Sequence, residues 1–159
     1  MIYFKKGKVG GVFMKILIIN GPNLNMLGKR DPLVYGKMSL SEIATKVSDH
    51  GEEYGFTFEH FQSNHEGEII DKIHEGGNWA EYVIINPGAF THYSIAIRDA
   101  IDSVPSKYIE VHLSNIQNRE EFRKKSVIAP VCKGQISGFG YQGYLMAVDF
   151  IYREKESGK

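Results

Sequence analysis

The strongest constraint on the fold of this chain is a set of short apolar runs that each stop at a polar, glycine- or proline-bearing turn. Ile16–Asn20 (ILIIN) stops at Gly21-Pro22, Tyr82–Asn86 (YVIIN) at Pro87-Gly88, and Tyr108–Leu113 (YIEVHL) at Ser114-Asn115. Runs this short, bounded by turn residues, read as strands. At least two of them, Ile16–Asn20 and Tyr82–Asn86, are apolar in an unbroken run instead of at alternate positions, so both faces of those strands need cover. That is the condition of strands inside a parallel sheet with helices on both sides.

The segments between them supply that cover. Ser39 and Glu42 form a capping-box pattern, and Leu40, Ile43, Ala44, Val47 and Tyr54 follow at helical spacing until Gly55. Phe56–Gln62 alternates, which predicts a strand with one wetter face at a sheet edge. Glu66 to Asn78 carries Ile69, Ile70 and Ile73 on one helix face. Ser94 opens a helix bearing Ile97, Ala100, Ile101 and Val104. A short helical segment is expected over NREEFRK (118–124), a last strand over Val131–Ser137 and a closing helix over Gly143–Tyr152, with a charged, fraying end beyond. Five strands alternating with helices define an α/β domain. At 159 residues there is material for one such domain, read as 14–155, with 1–13 as an N-terminal extension.

In such a sheet ligands bind outside the carboxyl ends of the strands. Asn20 to Asn23, Asn86 to His92 and His112 to Asn115 should therefore converge on one rim. Composition narrows what binds there. Lysine plus arginine and aspartate plus glutamate both number 19, so the net charge is zero and a nucleic-acid or anionic-lipid partner is not expected. Cys132 is the single cysteine, so no intrachain disulfide can form and a cytoplasmic setting fits. No apolar run approaches the ~20 residues of a membrane helix, and the first residues lack the pattern of a signal peptide.

The loop from Gly21 to Gly36 is long and aperiodic, which is the mark of a lid or binding loop. It carries Arg30 and Tyr35. A fixed cation near a tyrosine stabilises the phenolate and brings its proton affinity below the usual pKa of ~10; taken alone, a packed tyrosine and a solvated arginine fit as well. The loop has neither GxxxxGK[ST] nor GxGxxG, so phosphate cradling is the weaker reading. His92 and His112 follow separate strands, where an imidazole can act near neutral pH. Metal binding is disfavoured, because there is no HExxH, no cysteine pair and few nearby carboxylates. Glu110 shares a strand face with His112 and would orient its ring, unless it is a strand-end charge in solvent. Ser114 lacks a GxSxG context, and parity would turn it away from His112 if the strand continued. Arg119 and Arg123 would share one helix face, either as a salt-bridged surface or as cations for an anionic ligand. GFGYQGY (138–144) reads as a turn and helix start packing the core.

Five blocks, INGPNLNMLGKRDPLVYG, QSNHEGEIIDKIHE, INPGAFTHYSIAIRDAI, IEVHLSNIQNREEFRKKSVIA and GFGYQGYLMA, resemble the type II 3-dehydroquinate dehydratases in order and spacing, from Met14 to about Tyr152. The resemblance implies a flavodoxin-like three-layer sandwich with a five-stranded parallel sheet in the order 2-1-3-4-5, assembled as trimers within a dodecamer. It implies a hydro-lyase that converts 3-dehydroquinate to 3-dehydroshikimate through an enolate, with no metal, no cofactor and no covalent intermediate. By the same resemblance Tyr35 is the general base and Arg30 holds it as phenolate. Asn86 stabilises the enolate with a held water, His112 is the general acid, and Glu110 orients it. Leu113 and Ser114 bind the substrate carboxylate, His92 and Arg123 contact ring hydroxyls, and Arg119 lies near the base. Asn23 faces the site, and Asp99 is donated by a neighbouring subunit. The rival from another class is a flavin or nucleotide carrier, or a phospho-accepting regulator, on the same fold. The regulator would need an acidic cluster after the first strand, where Asn20-Gly-Pro stands.

Overall fold

The apolar runs become the inner strands of a single parallel sheet in the computed structural model, which describes residues 14–29 and 37–158. The strands are β1 (Met14–Asn20), β2 (Phe56–Gln62), β3 (Tyr82–Asn86), β4 (Lys107–His112) and β5 (Gly134–Ser137), in the order β2-β1-β3-β4-β5. The helices are α1 (Leu40–Glu52), α2 (Glu66–Gly76), α3 (Ile95–Asp102) and α4 (Gln142–Ser157). This is the expected flavodoxin-like arrangement. β2, the alternating strand, lies at the edge with one half-wet face.

Alternation along the strands feeds two separate cores. Ile16, Ile18, Ile84, Ile109 and Val111 point to one side, where Ile43 and Val47 of α1 and Ala147, Val148 and Ile151 of α4 cover them. Leu17, Ile19, Val83 and Ile85 point to the other, against Ile69 and Ile73 of α2 and Ile97 and Ile101 of α3. The same parity decides which way the polar strand-end residues face. Asn20 and Asn86, paired across β1 and β3, continue the side of Ile18 and Ile84. Glu110 and His112 continue the side of Tyr108, in the opposite core.

The helix starts follow their capping residues. The Ser39 hydroxyl accepts from the Glu42 amide and the Glu42 carboxylate accepts from the Ser39 amide, closing the capping box. Ser94 likewise caps α3 through the Ile97 amide at 3.0 Å.

Two expectations at the end of the chain need correction. The last strand begins at Gly134 and not at Val131, because Ala129–Val131 form a 3-10 turn around Pro130, which has no N–H for a ladder. The closing helix runs to Ser157, well past Tyr152, and its charged last turns are tied down. Glu154 accepts from the Tyr82 hydroxyl and pairs with Lys133, while Lys155 pairs with Glu81 at 2.7 Å.

Candidate active site

Two loops at the carboxyl end of the sheet are locked together by their backbones. The Gly21 amide donates to the Asn86 carbonyl at 2.7 Å, and a Cβ at Gly21 would lie 2.5 Å from the Pro87 carbonyl oxygen. No side chain fits there, since backbone cannot turn aside. Asn23 then takes a left-handed conformation (φ 67°), which asparagine tolerates better than most residues. Its amide is held by the Asn64 side chain at 2.9 Å. The turn after β1 is thus braced by β2's exit as well as by β3.

Asn86 is buried, and its amide is fully committed on its inner side. Its Oδ1 accepts from the Gly88 amide at 3.2 Å, and its Nδ2 donates to the Tyr144 hydroxyl at 3.1 Å. Tyr144 donates in turn to Asn20 Oδ1 at 2.6 Å.

On the other face of the sheet, Glu110 is completely buried and accepts from three donors. His112 Nε2 lies 2.6 Å from its Oε1, Ser126 Oγ lies about 3.0 Å from both oxygens, and the Thr91 hydroxyl also donates to it. Burial pushes this carboxyl upward. The hydrogen bond and charge of His112, with the two hydroxyls, outweigh that and hold it net below the ordinary value of 4.5. A carboxylate can only accept, so His112 carries its proton on Nε2 and leaves Nδ1 for the cavity it lines. The reading of Glu110 as a solvent-facing charge is therefore excluded.

The cavity at this rim has a volume of about 290 Å³. Its lining brings together Asn23, Asn86, His92, His112, Leu113, Ser114, Arg119 and Arg123. Ser114 joins His112 because the strand ends at His112 and the chain turns, so parity no longer applies. The shared helix face for Arg119 and Arg123 is corrected: two separate 3-10 turns, Ile116–Asn118 and Glu121–Arg123, flank an extended Arg119. Both arginines still line the cavity, with Arg119 donating to Ser114 Oγ at 3.1 Å and Arg123 Nε lying 3.2 Å from a Glu120 carboxylate oxygen. His92 is oriented by the Lys125 carbonyl at 2.8 Å. Asp99 is exposed on α3 and does not line this cavity. Arg30 and Tyr35 lie outside the described residues.

Sequence reasoning missed Tyr144, Thr91 and Ser126. Tyr144 was read as core packing, which its ring is; nothing in the sequence marked its hydroxyl. Among the described residues no group of three His, Cys, Asp or Glu side chains is placed to hold a metal ion.

Comparison with known proteins agrees with this geometry. The model of the family "Dehydroquinase class II" matches residues 14–152. The 3-dehydroquinate dehydratase of Thermotoga maritima is 53% identical over 143 residues, covering 90% of this chain and 98% of that protein. That of Caldicellulosiruptor bescii is 58% identical over 143 residues, covering 89% and 97%. The crystal structure of the type II dehydroquinase from Butyrivibrio crossotus superposes with a TM-score of 0.86 at 52% identity, covering 89% of this chain and 99% of that one.

The Glu110 cluster generates a pH-dependent expectation. A carboxyl whose folded pKa lies below its unfolded one adds stability that is complete above the unfolded value and is lost as pH falls through the folded value. Glu110→Gln places an amide N–H against donors and should lower stability at neutral pH by about 1–3 kcal/mol. In denaturation series from pH 7 to pH 3, the gap to wild type should narrow below about pH 4.5. A gap independent of pH would contradict the ionised, buried carboxylate.

Proposed function

This chain belongs to the class II dehydroquinase family, and from that premise we infer that it converts 3-dehydroquinate to 3-dehydroshikimate by loss of water. It is a hydro-lyase of the shikimate pathway, which leads to the aromatic amino acids. The structural observation that carries the reading is the buried Glu110–His112 pair, which occupies Nε2 of His112 and places this residue in the lining of a cavity shared with Asn86 and Ser114.

We assign the steps as follows. Tyr35, as phenolate beside Arg30, removes a proton from the carbon next to the ketone, and the electron pair moves onto the ketone oxygen as an enolate. Asn86, with a held water, meets the charge on that oxygen. Donors placed in advance where charge develops are commonly worth ~100-fold or more in rate. The enolate then expels the hydroxyl one carbon further on. Protonated His112 gives this group its Nδ1 proton, and it leaves as water. Glu110 keeps the imidazole in the orientation that makes Nδ1 the donor. One proton ends on Tyr35 and one leaves His112, so solvent exchange returns both groups to their starting state. No cofactor enters this scheme.

Substrate recognition is assigned to the rest of the rim. Leu113 and Ser114 take the carboxylate through backbone N–H groups and a hydroxyl. His92 and Arg123 take ring hydroxyls, Asn23 closes the wall after β1, and Arg119 lies by the base. Residues 14–155 form the catalytic domain and 1–13 an extension in this reading. The single cysteine, Cys132, supports a cytoplasmic setting, and among the described residues no helix is long and apolar enough to cross a membrane. Trimers grouped as a dodecamer are proposed, with Asp99 reaching a neighbour's site. Its exposure on α3, away from its own chain's cavity, supports that role.

Two measurements test this. An ultraviolet assay for the conjugated product should show turnover by wild type and a loss of at least ~100-fold in Tyr35→Phe, the order expected when a positioned acid–base group is removed. No product from wild type, or full activity in the variant, would overturn the mechanism. Sedimentation should show a dodecamer; a stable and fully active monomer would contradict the role given to Asp99.

A further inference from the structure

Asn86 serves the reaction only if its amide N–H, and not its carbonyl, is turned to the enolate. Its two ends differ by a single rotation, so something must choose between them. The choice starts at the backbone. The Gly88 amide is a donor and stands 3.2 Å from the Asn86 side chain, which requires Oδ1 at that position. Nδ2 is thereby turned to the Tyr144 hydroxyl at 3.1 Å, and that oxygen must accept. A hydroxyl has one hydrogen. Because Tyr144 accepts from Asn86, its hydrogen goes to Asn20, 2.6 Å away, and Asn20 must present its own Oδ1.

Every donor and acceptor in this buried chain is determined from the Gly88 end, and none is free to reverse alone. Asn86 has a second hydrogen on Nδ2 with no acceptor among the described residues, and it lines the cavity. From this geometry, and resting on the proposed dehydratase reaction, we propose that Tyr144, locked by Asn20, is a positioning residue that holds the Asn86 amide N–H toward the reacting oxygen.

Three further observations support it. Tyr144 is 1% exposed, so bulk water does not compete with its hydroxyl for Asn86. Burial raises its proton affinity, so it stays protonated and able to donate throughout the working pH range. The helix α4 that carries it comes close to the sheet at Gly143, where a Cβ would lie 3.2 Å from Val111 and 3.4 Å from Ile136. The hydroxyl is therefore delivered to a set depth by a packed helix.

Tyr144→Phe keeps the ring and removes only the hydroxyl. Deleting a donor to a developing oxyanion costs ~100-fold or more; loosening one should cost less, about tenfold in kcat, with KM changed less than about threefold. The pH profile should keep its shape, because no titrating group is lost. In an Asn86→Ala background the same substitution should have no further effect on kcat. The crystal structure of Tyr144→Phe should show the Asn86 side chain displaced or spread over more than one position, because its Nδ2 end has lost its partner while Gly88 still holds Oδ1. Wild-type kcat in Tyr144→Phe, or an equal loss in both backgrounds, would overturn the proposal. So would an unmoved Asn86 amide, and that result holds whether or not the protein is active. A wild type without dehydratase activity would instead remove the functional reading, leaving the crystal structure to decide whether Tyr144 holds the Asn86 side chain in place.

Discussion

A carboxylate with no exposure to solvent, Glu110, sits in the last turns of an apolar sheet, and the site is organised around its need for donors. Burying such a charge unpaired would cost several kcal/mol. Three side chains prevent that: Thr91 from the turn after β3, Ser126 from the segment before β5, and His112 on its own strand. Ser126 also accepts from the amides of Ile128 and Ala129, so the same cluster stops the chain before it re-enters the sheet. Meeting one charge thus draws three separate segments to one place and leaves an imidazole with a single nitrogen facing outward.

The other half of the site is anchored in the opposite core. Asn86 leaves β3 on the side of α1 and α4, whereas His112 leaves β4 on the side of α2 and α3. The two groups meet only beyond the carboxyl edge of the sheet, where neither core continues. The proposed enolate stabiliser and the proposed acid are therefore oriented independently, each by a buried polar network of its own. The sheet between them sets their separation, and the contact of Gly21 with Pro87 sets the height of the loop that closes the wall.

Much of the fold could be read from the residues because β1 and β3 carry unbroken apolar runs, Ile16–Ile19 and Tyr82–Ile85. That pattern has one solution, a parallel sheet covered on both faces. The convergence of Asn20, Asn86 and His112 follows from the same rule. The ends of elements were less legible. Pro130 delays β5, and ion pairs from Glu154 and Lys155 extend α4 through residues that look like a frayed tail. Long-range partners were not legible at all. A glutamate two residues before a histidine is compatible with solvent or with burial, and only Thr91 and Ser126, distant in sequence, decide between them. Tyr144 is 124 residues from Asn20, and no local pattern marks a hydroxyl that ends at another strand. Arg119 and Arg123 reach the cavity from two short turns, although their spacing implies one helix. The assignment of chemical roles came from the family resemblance, since composition and spacing alone left Tyr35 and Arg30 open.

The most direct measurement is a crystal structure with the product, 3-dehydroshikimate, bound. The expected result is the product carboxylate on Leu113 and Ser114, its ketone oxygen facing Asn86, and the His112 ring still bonded to Glu110 through Nε2 with Nδ1 toward the ring carbon that lost its hydroxyl. A product bound away from this rim, or a His112 ring turned so that Nδ1 meets Glu110, would contradict the site described above.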